Sequence, residues 1–196
     1  PMMRKDLPYN TTKDLVGITQ LATLQLAIVA RSNAPFNTLP ELIAYAKKNP
    51  GKLVYGTPGI GGTTHLGAEL LKRDAGFDML HAPFQGSAQC DSELMAGRID
   101  LMVDPFLSVE PYVKAGRMKM IATMGDKRVS GYPQYPTVAE VIPGFNVGAL
   151  LGFVAPAGTP RAIVEKIQAD TAKVLAEHDT KKRIDELCME FVASNP

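Results

Sequence analysis

The sequence predicts an α/β fold built on a mainly parallel sheet, and three observations carry that reading. From Leu24 onward, short apolar runs bounded by Gly, Pro, Asn or Asp alternate with amphipathic runs, the order expected when each buried strand is followed by a helix that crosses back over the sheet. A glycine-rich loop separates one such apolar run from the helical run after it. Helix-start signals fall where that alternation needs them, at Thr38 before Leu39 and at Thr159-Pro160 before a long amphipathic stretch.

The strand expectations are Leu26 to Ala30, Leu53 to Gly56, Met79 to Ala82, Ile99 to Val103 and Met118 to Thr123, each short and mostly apolar. A helix is expected from Thr38, because Leu39, Leu42, Ile43 and Ala46 recur at helical spacing and Thr38 and Glu41 have capping-box spacing. Asn49-Pro50-Gly51 stops it. A second helix follows Thr63 or Thr64, a third covers Ala88 to Ala96, and a short fourth covers Val109 to Ala115 with Pro111 in its first turn. The terminal helix is expected from Pro160 to Glu177, with Thr159 as its cap. Before it, Val147 to Ala155 reads as an extended segment that leaves the central α/β unit.

Composition narrows the function classes. With 196 residues, 45% of them hydrophobic, the chain can build one substantial core or two small lobes. Twenty-one basic residues nearly cancel twenty acidic ones, and the basic residues are scattered, so no nucleic-acid partner is expected. No apolar run is long enough to cross a bilayer, so no direct membrane insertion is expected, and Pro1 to Lys5 lacks the apolar stretch of a secretory signal. Cys90 and Cys188 lack metal-ligand spacing and are expected to be buried thiols. No metal and no cofactor are expected.

The stretch Tyr55 to His65 carries most of the functional information. Its glycines let backbone approach a ligand, and the N–H groups and positive dipole end of the following helix attract an anion such as a carboxylate. Gly56, Gly61 and Thr63 match a nucleotide-binding P-loop in spacing, but Gly62 stands where the lysine must be. The dinucleotide pattern fails too, since Thr64 takes the place of the third glycine after Gly59 and Gly61. A tight turn that binds nothing fits the loop equally well. In Phe84 to Ala88, a strand end is again followed by a helix start, where Ser87 either caps the helix or faces a ligand. Asp104 lies at the carboxyl end of its strand, the edge where open α/β sheets bind ligands, although an Asp there is more commonly a turn former. His65, in the first turn after the loop, suits a neutral, loop-bracing role because the helix dipole disfavours a charged ring. There is no Gly-x-Ser-x-Gly elbow and no His-Glu-x-x-His, so no catalytic residue is assigned and the chain is not expected to be an enzyme.

The motifs then recur in a recognisable order: Leu7-Pro8-Tyr9-Asn10, Leu39-Pro40-Glu41-Leu42, Asn49-Pro50-Gly51, the glycine loop ending in Thr64-His65-Leu66, His81-Ala82-Pro83-Phe84-Gln85-Gly86-Ser87, Ala96-Gly97-Arg98-Ile99-Asp100, Tyr135-Pro136-Thr137-Val138-Ala139-Glu140 and Ala155-Pro156-Ala157-Gly158-Thr159-Pro160. Together they resemble the Bug-type periplasmic solute receptors of the tripartite tricarboxylate transporters. The resemblance implies a type II periplasmic-binding-protein fold, in which two α/β lobes close over a small carboxylate (a di- or tricarboxylate, an amino acid or an aromatic acid) for delivery to an integral membrane permease. It implies ligand contacts, largely through backbone N–H groups, hydroxyls and bridging water, at Thr57, Gly59, Gly61, Gly62, Thr63, Thr64 and His65, supported by Phe84, Gly86, Ser87 and Asp104. It also implies that the signal peptide and first part of lobe one of an exported, periplasmic receptor do not lie within these residues. Residues 1–23 and 150–196 are then remnants of lobe one, and 24–149 are a complete second lobe. A small-carboxylate-sensing effector domain of the LysR regulator type shares this architecture and is the competing expectation.

Overall fold

The computed structural model describes residues 7–191 and Ser194. The chain divides into two compact units, one of Pro1–Leu24 with Leu150–Pro196 and the other of Gln25–Ala149.

The Gln25–Ala149 unit holds five strands. β1 (Leu15–Arg31) enters it at Gln25, and β2 (Val54–Thr57), β3 (Leu80–Pro83), β4 (Leu101–Pro105) and β5 (Met118–Thr123) lie wholly within it. Their spatial order is β3-β2-β4-β1-β5. β2 pairs in parallel with both β3 and β4, whereas β1 runs antiparallel to β4 and to β5. Four strands therefore point one way and β1 points the other. The sheet is mixed because β1 comes from the other unit instead of from a crossover helix.

Four helices join these strands: α1 (Leu39–Lys48) leads to β2, α2 (Thr63–Ala75) to β3, α3 (Ser87–Met95) to β4 and α4 (Phe106–Lys114) to β5. The Thr38 side chain accepts from Glu41 N at 3.3 Å, while Glu41 reaches back to Asn37 N at 2.7 Å, so α1 starts at a reciprocal cap. Leu39, Leu42 and Ala46, spaced three and four apart, are its buried face. They join Leu26, Ile28, Phe36, Leu101 and Ile121 in the main core. α4 starts three residues before the expected Val109, because Phe106, 1% exposed, continues directly from the strand end and buries its ring. Pro111 consequently sits inside that helix and not in its first turn, where its missing N–H costs one helical bond.

The other unit contains the first half of β1, β6 (Gly148–Pro156) from Leu150 on, α5 (Arg161–Ala176), α6 (His178–Glu186) and β7 (Met189–Phe191). β6 and β7 both pair with β1, and Ile18, Ala155 and Val164 form a small core. Two expectations shift here. β1 begins eleven residues before Leu26, at Leu15, because sheet partners in this unit hold its weakly patterned first half. Pro160, with extended backbone, caps α5 in place of Thr159, and no side chain caps that end. Among the described residues no helix is long and apolar enough to cross a membrane.

The core of the Gln25–Ala149 unit sets its stability. Leu42→Ala, at a side chain with no exposure, is expected to cost about 2–5 kcal/mol, and Thr38→Ala about 1 kcal/mol through the lost cap. Urea unfolding of the two variants checks both the values and their order.

Candidate functional site

Because β2, β3 and β4 are parallel neighbours, their carboxyl ends lie along one edge of the sheet, and α2, α3 and α4 all begin there. Such an edge gathers helix N-termini, whose first N–H groups have no partner inside their own helix.

The start of α2 is the most open of these. Gly62 occupies the cap position and no side chain caps the helix. Leu66 N–H bonds to Gly62 O at 3.0 Å, which closes the first turn and leaves the N–H groups of Thr63, Thr64 and His65 as the helix's outward donors. Thr63 is exposed and Thr64 is 9% exposed. Gly61 has φ +76°, a left-handed conformation in which a branched side chain is strained. Gly62 has φ −75°, and a Cβ placed there meets nothing within 4 Å. The space beyond the helix end is open at Gly62.

Beneath the loop lies a set of side chains that shape it. Gly61 N–H donates to His65 Nδ1 at 3.0 Å, so that ring nitrogen is the acceptor and carries no proton. Thr57 donates its hydroxyl to Gly59 O at 2.7 Å and lies 2.7 Å from His81 Nε2; with the hydroxyl hydrogen committed, His81 is the donor to Thr57. The rings of His65 and His81 stack at 3.9 Å, and Tyr55 stacks on His81 at 4.8 Å. Tyr55 OH donates to Glu69, which also accepts from Lys72 at 2.9 Å. Burial pushes the Glu69 carboxyl up, but its bonds from Tyr55 and Lys72 outweigh that and hold it below the usual range. Burial first, and the adjacent His65 second, hold His81 below the usual imidazole range.

Thr57 belongs to this column: its side chain has no exposure, and its hydroxyl is engaged by Gly59 and His81, so it braces the loop. The residues missed in the sequence are Tyr55, Glu69, Lys72 and His81. One signal was available: His65, Glu69 and Lys72 stand at i, i+4 and i+7 on α2, a polar stripe on a helix that otherwise turns Ala68 and Leu71 into the core.

The second helix start is built differently. Gly86 caps α3 with φ 149°. Ser87 is the first helical residue, not the cap, and its hydroxyl donates to Asp104 Oδ1 at 2.8 Å. Asp104, expected to reach a ligand from the strand end, is instead wholly buried behind Ser87. Phe84 N–H bonds to Thr57 O at 2.9 Å, and its ring lies against Gly56, which ties the two loops together. The structure thus brings Gly59 to His65 and Phe84 to Ser87 to one edge, with Thr57 and Asp104 as internal supports. Neither loop contains Lys or Arg. What the edge offers is a set of neutral donors suited to a small anion. Among the described residues no group of His, Cys, Asp and Glu could hold a metal ion.

Comparison with known proteins assigns the family. The family model described as "Tripartite tricarboxylate transporter family receptor" matches residues 1–196. The chain belongs to this family. It is a family of receptors. A UPF0065 protein encoded in the tcbD–tcbE intergenic region of Pseudomonas sp. strain P51 is 33% identical over 192 residues, 97% of this chain and 57% of its own. An R. palustris protein solved with adipate superposes with a TM-score of 0.89 at 27% identity, covering 98% of this chain and 64% of its own. MatC from Rhodopseudomonas palustris, solved with bound malate, has a TM-score of 0.81 at 29% identity and covers 95% of this chain and 64% of its own. The periplasmic-binding-protein fold follows from these superpositions. The chain spans about half the length of the curated relatives it matches.

The histidine column makes the unit's stability depend on pH. In the unfolded chain His81 protonates near 6.5, and in the folded unit it does so at lower pH. The unfolded state therefore binds more protons below about 6.5, so stability present above that pH is lost as pH falls toward the folded value. Thermal midpoints between pH 7.5 and 5 should fall less steeply for His81→Asn than for the parent chain, and equal slopes would remove His81 from this role.

Proposed function

We propose that this chain is the acid-recognising part of an exported, periplasmic solute receptor, and that it holds a small carboxylate with the backbone donors that open α2 and α3. The carrying observation is the start of α2: no side-chain cap, open space at Gly62, and the first-turn N–H groups of Thr63, Thr64 and His65 directed outward. Donors of this kind suit a carboxylate, because each oxygen accepts two or more hydrogen bonds and the dipole end contributes a partial positive charge without a buried cation. The solved relatives that hold adipate and malate support the same ligand class. In this reading Gln25–Ala149 is the complete ligand-binding lobe, Pro1–Leu24 with Leu150–Pro196 belongs to the other lobe, and an integral membrane permease takes the captured acid.

Calorimetric titration with adipate and with malate tests this. Gly62→Val is the discriminating variant: its backbone angle is one that valine adopts readily and its side chain meets no protein atom, so the variant should fold and yet fill the space in front of the donors. Binding should be abolished in it. Thr63→Ala should weaken binding by about 0.5–1.5 kcal/mol, the loss of one neutral hydrogen bond. Unchanged affinity in folded Gly62→Val would take the α2 start out of the site.

A further inference from the structure

Asp104 has no exposure, and its carboxylate makes one hydrogen bond, from the Ser87 hydroxyl at 2.8 Å. Its other oxygen, Oδ2, is buried and has no partner among the described residues. Asp91 of α3 is also buried, with Oδ1 in the same condition. A buried carboxylate with an unmet oxygen and a like-charged neighbour is costly in its ionised form. Ser87 links this pair to the acid-binding edge. It is the first residue of α3, and the turn closes with Cys90 N–H on Gly86 O at 3.3 Å, so the N–H groups of Ser87, Ala88 and Gln89 are the outward donors of that helix.

We infer that binding an acid at this edge takes up one proton from solvent at Asp104, and that this proton reverses the Ser87–Asp104 hydrogen bond and frees the Ser87 hydroxyl hydrogen for the ligand. With Asp104 ionised, Ser87 must donate inward and its hydrogen is unavailable to an anion. With a proton on Oδ1, Asp104 becomes the donor, Ser87 Oγ the acceptor, and the hydroxyl hydrogen turns outward. The same step removes a negative charge that lies one side chain behind the bound acid. Ligand and proton each favour the state the other prefers, so the coupling is reciprocal. Burial raises Asp104 to about 7, against the pull of the Ser87 bond and with Asp91 adding to it, which places the exchange near neutrality. The titratable groups on elements packed against β4 are Cys90, Asp91 and Glu93 on α3, His65, Glu69, Lys72, Arg73 and Asp74 on α2, Glu110, Tyr112 and Lys114 on α4, Tyr55 on β2 and Arg31 on β1. Of these only Asp91 acts on the Asp104 charge; Cys90, itself pushed up to about 12 mainly by burial, stays a neutral thiol.

The inference rests on the receptor reading, and one experiment separates the two. Adipate and malate are titrated calorimetrically into the chain between pH 7 and 9, in HEPES and in Tris, whose ionisation heats differ. The expected result is uptake approaching one proton per bound acid, with affinity falling by up to about tenfold per pH unit. In Asp104→Asn, which takes up no proton and carries no charge, uptake disappears, the pH profile is flat, and affinity at pH 9 exceeds that of the parent. In Asp91→Asn the fall begins at lower pH, because the like charge that raises Asp104 is gone. Binding without proton uptake in the parent chain, or an unchanged profile in both variants, overturns the coupling and leaves the receptor reading intact. Failure of both acids to bind at every pH overturns the receptor reading and the coupling with it.

Discussion

Parallel pairing of β2 with β3 and with β4 is the constraint from which the site follows. It directs three strand ends to one edge, and α2, α3 and α4 begin there. A helix that begins without a side-chain cap leaves N–H groups that need an acceptor. α1, away from this edge, is capped by Thr38, while neither α2 nor α3 has a side-chain cap. Stability alone would favour a capping side chain at each helix start; α4 and α5 lack one as well and have proline at the cap position, whereas α2 and α3 have glycine there, which leaves the backbone at this edge open to an acceptor from outside the chain.

The donors are useful only if the loop that carries them is held still, and the side chains below it supply that. Gly61, whose backbone angle is open mainly to glycine, has its N–H fixed on His65 Nδ1. His65 is held by the ring of His81, His81 by Thr57 and Tyr55, and Tyr55 by Glu69 and Lys72. Each member of the column is neutral or paired, so the column adds little net charge near the anion and the helix dipoles act unopposed. The α3 start is the exception, because it has a buried carboxyl immediately behind it.

Much of this was legible in the sequence, and the parts that were not share a physical cause. The glycine loop and the helix after it could be read because glycine spacing and helical periodicity are local signals. β5 was read to the residue, and β2 and β3 to within one, since short apolar runs between turn residues define a buried strand. The first half of β1 was not read, because Leu15 to Gln25 mixes Gly17, Thr19, Gln20 and Thr23 with apolar residues and becomes a strand only through partners near the other end of the chain, β6 and β7. Thr57 and Asp104 lie at the strand ends the sequence points to, and their side chains are buried. The partner that turns Thr57 inward, His81, is 24 residues away on the neighbouring strand, and the Ser87 that meets Asp104 is 17 residues away. Periodicity shows which face a residue occupies, whereas a side chain's hydrogen-bond partner depends on strand order, which becomes visible only in the fold.

Amide proton shifts recorded while adipate or malate is added test the central claim, that backbone donors at helix starts hold the acid, most directly. A hydrogen bond to a carboxylate should move the amide protons of Thr63, Thr64 and His65 downfield together with those of Ser87 to Gln89, while amides at the opposite ends of β2, β3 and β4 stay in place. Saturable shifts confined to other surfaces, with these six amides unmoved, would contradict the account.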